Sequence, residues 1–440
     1  MNARPSILML GTDRYAMRAC LEHDVDAVVV CAPGGRDNGL VHVPDGLRAL
    51  PVDDQSSAEA ILMALHRAGL GEHRFTGIQT TDEWALVTGS LLAGHLGCHF
   101  LDPVTAIHFR DKSLQKAQVR AAGLDTARVT VLDDLHDLEP LDELPYPKAV
   151  LKPVAGAATM RTSIVDSVAQ LRSLGAQYRR EQTKQRTFAL EEYIGGDEWV
   201  ADGVVFDGEL LFCSIGTYAD PCVTAVGDTL PLSIRRFDPD RDSARFDLAM
   251  PVVRKALSAL GLRDGVFHME LFHDPETGRL TFSECAARRG GALVHEELQA
   301  KFGVSLGESA VLCAAQRRPE LAVKVDPRVI GGGFLMGRPG LLWKCPSPAE
   351  LTARPDVLFA RVEKPFGTRI PAGLAGTNTR IAQCLVAADS PDEFYRRLAE
   401  VRAWFDDNLV VMPDQARNRE LRAWQSETWP DADHADTVWT

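Results

Sequence analysis

The sequence contains no long apolar stretch. Its longest run, Val25 to Ala32, is broken by Asp26 and is far short of the roughly 20 residues that a membrane-spanning helix needs. The opening MNARPSILML lacks an apolar core of signal-peptide length, so the expected location is the cytoplasm, with no membrane partner. Positive charge is also in deficit: 48 Lys and Arg against 61 Asp and Glu give a formal net charge of -13. Such a chain has no dominating cationic face, which excludes nucleic acid as a broad partner but leaves a local phosphate pocket open. The nine cysteines (Cys20, Cys31, Cys98, Cys213, Cys222, Cys285, Cys313, Cys345, Cys384) are odd in number and form no CxxC pair. That pattern fits reduced structural thiols and suggests no zinc site. GxxxxGK[ST] is absent, and the turn after the first strand reads Gly11-Thr12-Asp13-Arg14 rather than GxGxxG, so a dinucleotide site of the Rossmann type has little support. There is no internal repeat and no low-complexity tract.

With 440 residues, 45% hydrophobic and 25% charged, the chain is long enough for two or three packed domains, because one core usually stops growing near ~250 to 300 residues. Ser6 to Leu10, a turn, a helical stretch to Leu21 and Val25 to Ala32 read as β-turn-α-β, the start of a parallel α/β layer that continues to about Leu101. RDKSLQKAQVRAAGLDTARV then reads as a helix capped by Asp111 and stopped at Gly123. The acidic stretch Asp133 to Glu143 reads as a solvated connector. AVLKPVAGAATMRTSIVDS reads as strand, small-residue loop and strand, leading to a helix capped at Asp166. TFALEEYI is a further strand. EWVADGVVFDGELLFCSIG is a hairpin turning at Asp207-Gly208, and GVFHMELFHDPETGRLTFSECAAR is a second one turning at DPETG. Gly290 to Ala315 should include a helix. The tail from about Pro319 should hold strands and an amphipathic helix near Pro391 to Phe405, with the last twenty residues loosely held.

The second hairpin permits a geometric argument. Side chains alternate faces along a strand, so His268, Glu270 and Phe272 share one face, and Leu280, Phe282 and Glu284 share one face of the partner. In an unbulged pair, opposed positions sum to an even number near 552. Both carboxylates then project from the same face, about 5 to 8 Å apart, a separation that one or two magnesium ions can bridge. The competing reading is an ion pair of one carboxylate with Arg279, Arg288 or Arg289. Lys152 ends a strand and precedes a run of small residues, Pro153 to Thr159, whose backbone amides can approach phosphate oxygens. A lysine there supplies a point charge for phosphates, although a Lys-Pro after a strand also occurs as a plain edge residue. Lys112 sits in the first turn of a helix, where the dipole disfavours a cation and a bound phosphate would explain it. Glu191, Glu192 and Glu198 cluster at a strand end, a place where carboxylates also serve solubility alone.

Together and in this order, RDKSLQK, AVLKPVAGAATMRTS, ALEEYIGGDEW and HMELFHDPETGRLTFSECAARRGG resemble the ATP-grasp superfamily. The resemblance implies an α/β and α+β architecture: an N-terminal Rossmann-like pre-ATP-grasp domain at 1–101, an ATP-grasp domain at 102–330 with a lid at about 125–192, and an extended C-terminal lobe at 331–440. It implies that ATP and Mg²⁺, with Mn²⁺ as a substitute, are the cofactors. Lys112 and Lys152 match the phosphate-binding lysines, and Gly156 and Thr159 the closing loop. Glu191, Glu192 and Ile194 match the adenine linker, Glu198 the ribose-binding carboxylate, Glu270 and Glu284 the magnesium ligands, and Arg288 the arginine that steadies the transferred phosphoryl group. Many members have Glu-x-Asn-x-Arg where this chain has Glu284-Cys285-Ala286-Ala287-Arg288, which puts a second magnesium in doubt. Glu-x-Ala-Ala-Arg preceded by His-x-Glu looks most like the L-amino-acid ligase branch and related antibiotic-pathway ligases.

The resemblance thus implies an enzyme that forms an amide from a small carboxylate and an amine, amino acids or a short peptide, through an acyl phosphate. His268 is a candidate for orienting substrate or taking the amine proton, against a plain hydrogen-bonded role. The run Gly290-Gly291-Ala292 leaves space for a carboxylate larger than alanine. His295 and Glu296 are candidates for an amino group, against a solvated helix start. A homodimer is left open. The alternatives are a carboxylase or nucleotide-pathway ligase and, from another class, a non-catalytic nucleotide-binding regulatory module.

Overall fold

The computed structural model describes residues 4–33, 36–37, 41–138, 141–157, 159–227, 230–370 and 380–412. Part of the expected acidic connector, Ala158 of the small-residue loop and the last twenty residues lie outside these. The chain opens with β1 (Ser6–Leu10), α1 (Arg14–Glu22), β2 (Asp26–Cys31), β3 (Arg48–Pro51), α2 (Ala58–Arg67), β4 (Gly77–Thr80) and α3 (Leu86–Leu96). Its four strands form a parallel sheet in the order β3-β2-β1-β4. Every residue of β1 is buried, as expected of a strand covered on both faces. Leu8 and Leu10 pack with Ile61 and Leu65 on one side, and Ile7 and Met9 with Ala16 and Cys20 on the other.

Two helices follow end to end, α4 (Pro103–Arg110) and α5 (Lys112–Ala121). Asp111 separates them and caps the second, its carboxylate accepting from the backbone N–H of Ser113 and Leu114. Next come β5 (Val129–Leu132), β6 (Ala149–Pro153), β7 (Ser163–Val165), α6 (Val168–Arg180) and β8 (Phe188–Glu192), whose strands form an antiparallel sheet β5-β8-β6-β7. The cap of α6 is Ser167, which accepts from Gln170 N, and not Asp166. The backbone N–H of Asp166 instead donates to the Gln170 side chain, so the pair closes one residue later than the sequence suggests.

The largest sheet has eight antiparallel strands. β9 (Asp197–Phe206) and β10 (Glu209–Tyr218) turn at Asp207-Gly208, where both residues have positive φ, the geometry that a two-residue hairpin requires. After them come α7 (Cys222–Gly227), β11 (Ser233–Arg236), α8 (Ser243–Leu260), β12 (Gly265–His273), β13 (Leu280–Ala286), α9 (Val294–Phe302), α10 (Leu306–Ala314), β14 (Val329–Met336), β15 (Val357–Val362), β16 (Arg380–Ala388) and α11 (Pro391–Asn408). The order is β13-β12-β9-β10-β11-β14-β16-β15. The sheet therefore runs unbroken across residue 330, the expected domain boundary, which falls inside β14. α10 in turn leaves the middle of the chain to pack Val311 and Ala314 against the N-terminal core.

One face of β12 and β13 is core: Phe267, Met269, Leu271, Leu280 and Phe282 pack against Val253, Leu257 and Leu260 of α8 and Phe109 of α4. The even residues His268, Glu270 and Phe272 face the other way. Among the described residues no helix is long and apolar enough to cross a membrane. All nine cysteines are free thiols.

Candidate active site

A cavity of about 300 Å³ lies where the four-stranded sheet β5–β8, the eight-stranded sheet and the start of α5 converge. Lys112, Lys152, Gly156, Thr159, Glu191, Glu192, Ile194, Glu198, His268, Glu270, Glu284 and Arg288 all line it. Four motifs scattered between residues 110 and 291 are thus brought to one place.

Lysines crowd the first end. Lys152 Nζ, projecting from β6, is 3.0 Å from Glu191 on β8 and 3.4 Å from Glu284. Lys112 Nζ is also 3.4 Å from Glu284 and donates to the Gly156 carbonyl at 3.2 Å. A third lysine, overlooked in the sequence, completes the group: Lys116, wholly buried, lies 3.2 Å from Glu191. Burial alone would push Glu284 up, but Lys112, Lys152 and Lys116 outweigh it and hold the carboxyl well below the usual range. Burial, with the charge of Lys152, brings the Lys116 ammonium down to about 8 despite Glu191. Spacing offered one clue to Lys116, since positions i and i+4 share a helix face.

Glu270 and Glu284 are directly opposed partners on β12 and β13, but by a route the parity argument missed. Beyond the carboxylates the pairs sum to 554 (His268 with Ala286). Nearer the turn they sum to 553 (Leu271 with Phe282, His273 with Leu280). Ser283 is the extra residue of a β-bulge, which reverses the alternation on its strand. Leu280 and Phe282 therefore belong to the core face, and only Glu284 turns to meet Glu270. Among the described residues no three His, Cys, Asp or Glu side chains form a metal cage. Two opposed carboxylates fit Mg²⁺ only if phosphate oxygens and water complete its shell, which is how Mg²⁺ is usually held.

Glu198, also in the lining, is buried and accepts from the backbone N–H of Cys222 at 2.7 Å. Burial, reinforced by the nearby Glu270, pushes its carboxyl up to about 8. Glu192 borders the cavity, and its carboxylate accepts from Arg128 at 2.8 and 3.0 Å. Thr159 sits in the left-handed region at φ 57, an uncommon conformation for a non-glycine residue.

His268 belongs to a buried chain of alternating charge. Glu297 Oε2 is 2.7 Å from Arg236 Nε, Arg236 Nη1 is 2.7 Å from Asp202 Oδ2, and Asp202 Oδ1 is 2.8 Å from His268 Nδ1. The second ring nitrogen of His268 lies 3.6 Å from Glu270. Burial would lower the imidazole, but Asp202 and then Glu270 raise it to about 10. Raised in this way, the imidazole favours its charged form, which donates a proton rather than accepting one. Gly290 makes room for the chain, since a Cβ there would lie 2.8 Å from His268 Nδ1.

Arg288 reaches the cavity while its guanidinium is held by Glu83, with Nε at 3.1 Å. Glu83 also takes Arg110 at 2.7 Å, and Arg110 donates to the Ala155 carbonyl at 2.5 Å. Glu83 stands about 200 residues before Arg288 and no local pattern announces it. The lining also includes Phe334, Arg380 and Gln383 from beyond residue 330, with the Arg380 guanidinium 4.7 Å above the Phe334 ring. His295 and Glu296 are neither solvated nor in the cavity. His295 stacks on Tyr15 at 3.7 Å, and Glu296 accepts from Tyr15 and from Arg361 at 2.9 Å.

Residues 144–297 match a family model described as an ATP-grasp domain. Superposition on solved structures covers nearly the whole chain. An L-amino acid ligase from Bacillus licheniformis gives a TM-score of 0.74 at 20% identity, over 94% of this chain and 100% of that one. Phosphoribosylglycinamide synthetase from Anaerococcus prevotii gives 0.65 at 17%, over 93% and 99%. The chain thus contains an ATP-grasp domain, the feature that defines the ATP-grasp superfamily. Within it, the resemblance is to the L-amino-acid ligase branch: the L-arginine-specific L-amino acid ligase of Bacillus subtilis is 23% identical over 295 residues, 66% of this chain and 69% of that protein.

Proposed function

We propose that this protein is a cytoplasmic ATP-dependent carboxylate–amine ligase that joins an amino-acid-like acid to an amine and releases ADP and phosphate. The observation that carries the reading is the convergence of Lys112, Lys152 and the opposed Glu270 and Glu284 in one cavity that continues to Phe334, Arg380 and Gln383. That arrangement offers a phosphate end and, beside it, room for a second substrate. In this reading Phe334, Arg380 and Gln383, from beyond residue 330, supply the substrate-side wall.

A substrate carboxylate oxygen attacks the γ-phosphorus of ATP, and ADP leaves. An amine nitrogen then attacks the acyl carbon, phosphate leaves, and the nitrogen gives up a proton to solvent or to the departing phosphate. Carboxylate and γ-phosphate are both anionic, so the barrier is largely one of charge. Lys112, Lys152 and Arg288 supply positive charge around the phosphates. Glu270 and Glu284 would hold magnesium, which when bound neutralises phosphate oxygens. Glu198 accepts from the ribose hydroxyls, and the backbone of Glu191 to Ile194 meets adenine. His268, held charged by Asp202, orients Glu270. The loop through Gly156 and Thr159 excludes water from the mixed anhydride.

The test is a phosphate-release screen of the magnesium-loaded protein over pairs of amino acids, with product masses measured. Release that needs both an acid and an amine, with a product equal to their sum less water, supports the reading. Release that needs bicarbonate or a nucleotide-pathway amine favours the carboxylase or synthetase reading, to which the phosphoribosylglycinamide synthetase likeness lends the fold. Nucleotide binding without turnover across the panel would leave a regulatory module.

A further inference from the structure

β13, which carries Glu284, is the outermost strand of the eight-stranded sheet, and its open edge is occupied by side chains of α5. Gln115 donates from Nε2 to the Cys285 carbonyl and accepts at Oε1 from the Cys285 N–H, both at 2.8 Å. This is the two-way exchange a neighbouring strand would make. Lys116 Nζ donates to the carbonyl of Ser283, the bulge residue. Towards the turn, Phe282 N donates to the Asp125 carbonyl at 2.8 Å, and Thr126 Oγ1 to the Phe282 carbonyl at 3.0 Å. Gln115 and Lys116 are 1% and 0% exposed, and their bonds bracket Glu284 on either side.

The bracketing matters because a bulge decides which way everything after it points. Displacing it by one position turns a side chain to the opposite face, and here the opposite face is the core of Leu271, Phe282 and Leu257. Lys112, Gln115 and Lys116 are i, i+3 and i+4 on α5, so one helix face carries a phosphate-facing lysine and both clamps. We propose that Gln115 and Lys116 are positioning residues that fix the Ser283 bulge and so hold Glu284 opposite Glu270 and at a set distance from Lys112. The proposal rests on reading Glu270 and Glu284 as the magnesium ligands.

Gln115 makes the cleaner test because it does not touch the residues assigned to the nucleotide. Mn²⁺ is titrated into the ADP-loaded full-length protein and free Mn²⁺ is followed by electron paramagnetic resonance; metal-free ADP binding is measured in parallel. Gln115→Met removes both hydrogen bonds at similar volume and is expected to weaken Mn²⁺ binding about tenfold, the usual scale for losing an outer-shell support, with metal-free ADP binding unchanged. Gln115→Glu keeps the acceptor for Cys285 N and should fall between Gln115→Met and the parent; it decides the matter if Gln115→Met does not fold. Parent-like Mn²⁺ binding in the folded Gln115 variants, or equal weakening of metal-free ADP binding, overturns the proposal. Glu284→Gln separates the two levels: if that variant also binds Mn²⁺ like the parent, the metal reading itself fails, whereas loss in Glu284→Gln alone removes only the role of Gln115.

Discussion

On the proposed reading, the Glu198 carboxyl makes nucleotide binding a proton-releasing event. Burial and then the charge of Glu270 disfavour its ionised form and push the carboxyl up to about 8. At pH 7 a group titrating at 8 is about nine-tenths protonated, at pH 8 half, and at pH 9 about one-tenth. Ribose hydroxyls donating to the carboxylate favour the ionised form, and a cation on Glu270 removes the repulsion. Binding of MgADP at pH 7 should therefore release roughly 0.9 proton, falling to about 0.5 at pH 8 and near 0.1 at pH 9. Lys116 works the other way: brought down to about 8, it takes up only about one-tenth of a proton at pH 7 when an anion arrives but about half at pH 8 and nine-tenths at pH 9, so the Glu198 share is read directly at pH 7 and, at higher pH, as the difference from Glu198→Gln. The assay is calorimetric titration of MgADP in two buffers of different ionisation enthalpy, repeated with Glu198→Gln. No release at pH 7, or a release that persists in Glu198→Gln, would refute the assignment. The same group gives a check without ligand. A raised carboxyl withdraws stability as pH rises from 4.5 towards 8, and Glu198→Gln should remove that part of the pH dependence of melting.

Glu270→Gln, Glu284→Gln and Arg288→Ala should each abolish ATP cleavage, read as phosphate release, with an unchanged circular dichroism spectrum; full magnesium-dependent turnover in Glu284→Gln would sink the hairpin reading. Arg236→Met leaves Asp202 and Glu297 buried without their shared cation and should cost about 3 to 5 kcal/mol in urea denaturation. A loss under about 1 kcal/mol would mean the chain of charges is not coupled. Phe282→Ala opens the core face just before the bulge and should cost about 3 to 5 kcal/mol by the same measurement.

Much of this architecture was legible because it is written locally. The cap at Asp111, the Asp207-Gly208 turn and the alternation of β12 each depend on residues within a few positions. The four motifs were legible as chemistry for the same reason: a lysine at a strand end or a carboxylate on a hairpin is visible in a short window. What escaped depends on distant partners. The bulge at Ser283 is held by Lys116 and Gln115, about 170 residues upstream, and nothing in TFSECA announces an extra residue. Glu83 gathers Arg110 and Arg288 only after the N-terminal layer docks. The continuation of the sheet through residue 330 is a pairing of β11 with β14, two strands separated by nearly 100 residues. His295 and Glu296 look like a solvated helix start until α1 supplies Tyr15.

On the proposed reading, the ion pairs of Glu284 make nucleotide and metal bind as one event. Lys112 and Lys152 are both 3.4 Å from Glu284, so the lysines proposed for phosphate pair with the carboxylate proposed for magnesium. A phosphate chain that draws the lysines away leaves Glu284 facing Glu270 without compensation, and a cation that takes Glu284 leaves the lysines without a partner. Each ligand alone breaks ion pairs it does not replace; together they exchange partners and restore neutrality. Linkage makes the coupling reciprocal: Mg²⁺ should tighten ADP by the same factor by which ADP tightens Mg²⁺. A coupling of about 5-fold to 150-fold is the ordinary range. Equal ADP affinity with and without magnesium, measured by calorimetry at fixed ionic strength, would show that the lysines are not shared in this way.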